Sequence, residues 1–158
     1  MEFQDRIAIV QQFGRTYRAF LSAFESQVGQ PMPRWRVLLA LHESDGESSQ
    51  KRLVEKLKVD PGALTRQLKM LESFSWIERS TDERDNRVTN VKLTEAGRLV
   101  VEEGLPRRNA FLRSTMALPD DLLISLSDAL RLVEIRIGDA VATSAAASSA
   151  ASAADDEA

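Results

Sequence analysis

Cysteine is absent from the 158-residue chain. That excludes a disulfide framework, a thiolate metal site and a thiol redox sensor. Histidine occurs once, at position 42. It has no serine–acid constellation around it in the sequence, and no Gly-rich phosphate loop accompanies it, so no catalytic residue and no cofactor are expected. Aromatic residues make up 6%, too few for a protein that works by stacking on bases. No run approaches the roughly 18 apolar residues of a membrane span. The opening Met1-Glu2-Phe3-Gln4-Asp5-Arg6 lacks the basic-then-apolar order of a signal peptide. A cytoplasmic protein without a membrane partner is the expectation.

An excess of positive charge is missing too, since the net charge is −3. Its distribution matters more than its sum. Residues 47–94 hold ten Lys/Arg against eight Asp/Glu, a net of +2, and the rest holds 11 against 16, a net of −5. Phosphate contact depends on such a local excess. With 43% hydrophobic and 28% charged residues, the chain has the make-up of one soluble globular domain.

Along the chain, Phe3, Ile7, Val10, Tyr17, Leu21 and Phe24 recur at helical spacing over residues 3–27, interrupted by Gly14. One apolar row on a helix requires a partner surface, from its own core or another subunit. Gly29-Gln30-Pro31-Met32-Pro33 ends that helix. Residues 34–43 form a second, with Trp35, Leu38, Leu39 and His42 along one side, and Asp45-Gly46 turns the chain. Ser49 is placed to cap a third helix over 49–58, whose Leu53, Val54 and Leu57 face inward. Asp60-Pro61 pairs a capping residue with proline at the first helical position, a strong start signal for a fourth helix reaching about Phe74. That helix buries Leu64, Leu68 and Leu71, and its other face carries Ala63, Thr65, Arg66 and Lys69. Two helices across a short turn, the second showing polar donors outward, predict a helix-turn-helix.

Residues 76–81 and 88–93 read as two strands around the charged loop Asp82-Glu83-Arg84-Asp85-Asn86-Arg87. Thr94 can cap a fifth helix reaching about Met116, bent at Gly104 and Pro106. A sixth follows Leu118-Pro119-Asp120, with Leu123, Leu126, Leu130, Val133 and Ile137 at spacings of 3, 4, 3 and 4, the seam of a coiled coil. Residues 142–158 are almost all Ala and Ser, have nothing large to bury and read as a disordered tail. The organisation expected is N-terminal helices over 1–48, a winged lobe over 49–94, C-terminal helices over 95–141, and the tail.

The helix order, the loop Asp82-Glu83-Arg84-Asp85-Asn86-Arg87 and the closing Leu93-Thr94-Glu95-Ala96-Gly97 together resemble the MarR family of bacterial transcription regulators. The resemblance covers the layout of residues 3–140, with its specific motifs in 49–97. It implies a mainly α fold with a small β-hairpin wing: a winged helix-turn-helix whose N- and C-terminal helices intertwine in a homodimer. By position, Thr65, Arg66 and Lys69 fall on the helix that enters the major groove. Arg84 and Arg87 fall on the wing, one for the minor groove and the other to pair with Asp82 or Asp85. Gly62-Ala63 replaces a Ser-Thr pair common in the family, and Ser75 stands where a glycine is common.

The partner implied is double-stranded DNA carrying a pseudo-palindromic operator. Lys51, Arg52 and the wing supply phosphate contacts, while Ala63, Thr65, Arg66 and Lys69 supply the reading face. The function expected is a repressor released by a small aromatic carboxylate, for which Arg15, Tyr17, Arg18, Trp35 and His42 are the available cations and aromatic walls. Tyr17 and Trp35, as large apolar side chains on helices, are expected in the core first. A metal-responsive regulator is the alternative suggested by His42 near Glu43, Asp45 and Glu47, although one imidazole among exposed carboxylates is no metal site by itself. A winged-helix module for protein–protein contacts is the other; it predicts a wing without basic residues, and this wing has two.

Overall fold

The structure, a computed structural model, describes the backbone of residues 1–82 and 85–155, with side chains up to Ala145. Two compact units divide it, residues 1–114 and the remainder.

In the first unit, α1 (Phe3–Val28) ends where Gly29 takes φ +84° and returns its N–H to Glu25 O at 2.9 Å. Only the last turns of α1 enter the core, through Phe24 and Val28. There Phe20 and Phe24 meet Phe111, and Phe24 meets Trp35 edge-on. Phe3, Val10, Phe13 and Tyr17 leave the first half of α1 with an exposed apolar row. The second helix, α2 (Met32–His42), is buried nearly all round, by Trp35, Val37, Leu38, Ala40 and Leu41. A helix that is apolar on most sides belongs at the centre, and α2 is the post around which the lobe is built.

The helix pair follows the capping signals. Ser49 Oγ accepts the Arg52 N–H at 3.2 Å and starts α3 (Gln50–Leu57). Asp60 Oδ1 accepts the Ala63 N–H at 2.8 Å and starts α4 (Pro61–Ser73). The turn between them passes through Lys58 at φ +50°. The two expected strands are β2 (Ile77–Thr81) and β3 (Thr89–Leu93), and a third, β1 (Glu47–Ser49), adds to them in the order β1-β3-β2, all antiparallel. The third strand was not legible in Glu47-Ser48-Ser49, which has no apolar alternation. It pairs with β3 in the register Glu47–Lys92, Ser48–Val91 and Ser49–Asn90.

Thr94 Oγ1 accepts the Gly97 N–H at 3.1 Å and begins α5 (Glu95–Thr115), which continues through both Gly104 and Pro106. Its glycines mark contacts. A Cβ on Gly97 would lie 2.0 Å from Trp76 O, and one on Gly104 would lie 2.3 Å from Trp35 Cζ3. The second unit is mostly α6 (Asp120–Asp155), 36 residues long. Its helix continues to Asp155, into the Ala/Ser stretch that composition reads as a disordered tail. Alanine has the highest helix propensity, so extending a helix into such a segment costs little. Leu126, Leu130, Val133 and Ile137 all stand exposed along α6. Among the described residues no helix is long and apolar enough to cross a membrane.

Candidate nucleic-acid interface

Three neighbouring elements carry the basic residues. On α4 the buried arc is Leu64, Leu68 and Leu71, while Gly62, Arg66, Lys69 and Ser73 make up the opposite, exposed arc. Arg66 and Lys69 thus stand where they were expected. Thr65 is half-buried at the edge of that arc, and its hydroxyl donates to Pro61 O (2.8 Å) while accepting from Gln50 Nε2 (2.9 Å). Ala63 departs from the expected face. The 3.6-residue period puts it with Gln67 on a third side of the helix, half-buried against a cavity.

Lys51 and Arg52 are exposed in the first turn of α3. Arg52 borders a polar recess shared with Asp45, Glu47 and Glu55, so carboxylates face part of its charge. In the wing, Asp82 Oδ1 accepts the Asp85 N–H and Oδ2 the Asn90 amide, while Asp85 Oδ1 accepts the Arg87 N–H. Both aspartates shape the loop through backbone groups, and Arg87 is exposed at its tip. Arg84, the other wing arginine, lies outside the described residues.

Ion pairs sort the remaining cations. Lys56 Nζ lies 3.1 Å from a Glu43 carboxylate oxygen. Arg79 pairs with Glu72, joining β2 to the end of α4. The hydrogen bond from the Arg79 guanidinium, against an opposing effect of burial and aided by the Arg79 charge, holds the Glu72 carboxyl below its ordinary value. Lys51, Lys58, Arg66, Lys69 and Arg87 carry no such pair among the described residues and remain available to an anionic ligand.

The second expected site is assembled differently. A cavity of about 350 Å³ is lined by Tyr17 of α1, Met32 and Arg36 of α2, Leu57 of α3, Val59 of the turn, and Ala63 and Gln67 of α4, among others. Of Arg15, Tyr17, Arg18, Trp35 and His42, only Tyr17 reaches it. Trp35 is 1% exposed in the core. His42 is the half-buried last residue of α2, Arg15 hydrogen-bonds Gln12, and Arg18 lies beside Gly14. The cation at the cavity is Arg36, whose Nη2 donates to Leu57 O at 2.6 Å. Nothing in the local sequence distinguishes Arg36 from Arg34, so only the packing of α2 on the α3–α4 turn reveals it. Among the described residues no three His, Asp or Glu come together as a metal site, which leaves His42 and its neighbouring carboxylates without a shared ligand position.

A capped helix pair, an outward basic arc and a three-stranded wing form one winged helix-turn-helix, and residues 31–89 match the model of the MarR family. That segment is a MarR-type domain. The HTH-type transcriptional regulator YdgJ of Bacillus subtilis is 36% identical over 94 residues, covering 60% of this chain and 57% of that one. TtmR of Methylorubrum extorquens, also an HTH-type transcriptional regulator, is 38% identical over 86 residues, covering 54% and 42%. The chain thus spans about half the length of the curated relatives it matches. The crystal structure of a C80S mutant of MarR from E. coli complexed with operator DNA superposes with a TM-score of 0.71 at 24% identity, covering 84% of this chain and 98% of that one. The MarR fold therefore extends well beyond the matched segment, over helices on both sides of the lobe.

Proposed function

We propose that this chain is a sequence-specific double-stranded-DNA-binding transcriptional regulator, working as a homodimer in the cytoplasm and acting as a repressor released by a small aromatic anion. One observation carries the reading. The exposed arc of α4 presents Arg66 and Lys69, and two further exposed cations without an ion pair among the described residues, Lys51 on α3 and Arg87 on the wing, belong to the same winged lobe. A helix with flanking cations of this kind can lie in the major groove while its neighbours hold phosphates on either side. A two-fold dimer then meets half-sites about 34–36 Å apart.

The exposed apolar rows on the first half of α1 and along α6 support the dimer, since among the described residues these apolar side chains stand open to solvent. The cavity beside α4 supports the release. Its size suits a single-ring ligand, Tyr17 offers a wall, and Arg36 has donors beyond the one bonded to Leu57 O. Because Ala63 and Gln67 belong to α4, a ligand that fits better with α4 displaced favours dimers misspaced for successive grooves.

The test is a titration of the purified protein against DNA from its own upstream region, at several salt concentrations, with and without aromatic carboxylates. Nanomolar, salt-steep binding that weakens with one acid supports both halves. Salt-steep binding indifferent to every acid retains the regulator and removes this ligand class. Failure on that region and on a randomised duplex pool overturns the DNA reading.

A further inference from the structure

Beside the basic arc stands one polar side chain that neither capping nor charge explains. Gln50 is the first residue of α3, and its Nε2 reaches Thr65 Oγ1 on α4 at 2.9 Å. The Thr65 hydroxyl has already committed its only proton to Pro61 O, at 2.8 Å. Toward Gln50 it can only accept, so the amide must turn its nitrogen to Thr65 and its carbonyl oxygen away. Among the described residues nothing donates to that oxygen. Both residues are half-buried, so the side chain is steadied without being enclosed.

A steadied amide keeps two groups free, the Oε1 acceptor and the second Nε2 proton. They lie side by side in one plane. Adenine shows the complementary pair on its major-groove edge, an N6 donor beside the N7 acceptor, and glutamine reads it with two hydrogen bonds. Thr65 lies on the edge of the α4 arc that carries Arg66 and Lys69, so the amide is held at the border between α3 and that arc. A side chain ordered by folding loses less freedom on binding than a loose one.

We propose that Gln50 reads an adenine in each half-site, and that Thr65 is its positioning residue. The inference rests on the DNA-binding reading above. It assigns the Thr65 hydroxyl to holding Gln50, with its methyl group alone left to face DNA.

The experiment selects binding sites from a randomised duplex pool with the full-length dimer and with the variants Gln50→Ala, Gln50→Glu, Thr65→Val and Thr65→Ser, each checked for an unchanged thermal melt. The wild type should prefer an A·T pair at one position per half-site by about tenfold, the range of a good bidentate contact. Gln50→Ala and Thr65→Val should both flatten that position and spare the others, and Thr65→Ser should retain it. Gln50→Glu should move the preference toward cytosine, whose N4 donates to a carboxylate. Persistence of the full preference in Gln50→Ala and Gln50→Glu overturns the proposal while leaving the regulator intact. Uniform weakening by Thr65→Val, with no position singled out, makes Thr65 an ordinary structural or phosphate contact and overturns its positioning role. A wild type that selects no sequence overturns the DNA reading and this inference with it.

Discussion

Ser75 occupies the left-handed region at φ +58° between α4 and β2. Its N–H reaches Glu72 O at 2.8 Å and its carbonyl accepts the Thr94 hydroxyl at 2.7 Å, so the turn is fixed from both sides. A side chain in this region costs about 1–2 kcal/mol, and glycine avoids that cost while losing more entropy on folding. Ser75→Gly should therefore raise stability by about 0.5–1 kcal/mol, read as a higher urea midpoint at unchanged slope. Gly104 poses the opposite case. Its Cα faces the Trp35 ring so closely that any Cβ must displace a buried indole. Gly104→Ala should cost about 1–3 kcal/mol by overpacking, measured in the same titration. Both glycine-type positions were visible in the sequence as residues and invisible as contacts. Gly104 read as a bend in α5 because its neighbour across the core lies about seventy residues away.

The elements were legible wherever their ends are set by local chemistry. Ser49, Asp60 and Thr94 each accept a backbone N–H three residues ahead, and each was recognisable from the sequence because capping depends on nearest neighbours. The strand β1 and the cavity were not, since a three-residue edge strand and a pocket lined from α1, α2 and α4 depend on distant chain segments. Ala63 shows the same limit within one helix. It was expected on the outward reading face with Thr65, Arg66 and Lys69, and its angular position places it toward the cavity instead. The ion pair between Glu72 and Arg79 joins two of these elements and gives a pH signature. The Glu72 pKa is depressed in the folded state, so the stabilisation is present above the ordinary carboxylate value of about 4.3 and is lost as pH falls through the lower folded value. Glu72→Gln should thus be less stable than wild type near neutrality, with the difference closing in that acid window. A constant difference across denaturation curves from pH 7 to pH 3 would argue against the pair as its source.

At the level of the whole molecule, the proposed dimer and the charge pattern make separate predictions. Leu126 and Leu130 are 45% and 43% exposed on α6, a state that an apolar seam tolerates best when a second copy covers it. Leu126→Glu with Leu130→Glu should yield monomers in sedimentation equilibrium and weaken DNA binding together. A dimer unaffected by both changes places its interface elsewhere. The charge prediction concerns salt. A protein of net charge −3 binds DNA only if its cations are segregated. The logarithm of affinity should fall linearly with the logarithm of salt, and Arg87→Ala should reduce that slope by about one if Arg87 meets a phosphate.

The close approach of α5 to the rest of the first unit bears on how such a chain could be recombined. Gly97 lies against the Trp76 carbonyl and Gly104 against Trp35, so the first three turns of α5 interlock with residues the sequence assigned to two earlier segments. Further along, Phe111 joins Phe20 and Phe24 of α1. A graft that cut the chain after residue 94 would strip three matched surfaces and expose the indole. The smallest piece that can be exchanged between relatives without remaking its core runs from α1 to residue 114, so transplanted DNA specificity should travel with the helices on both sides of the lobe.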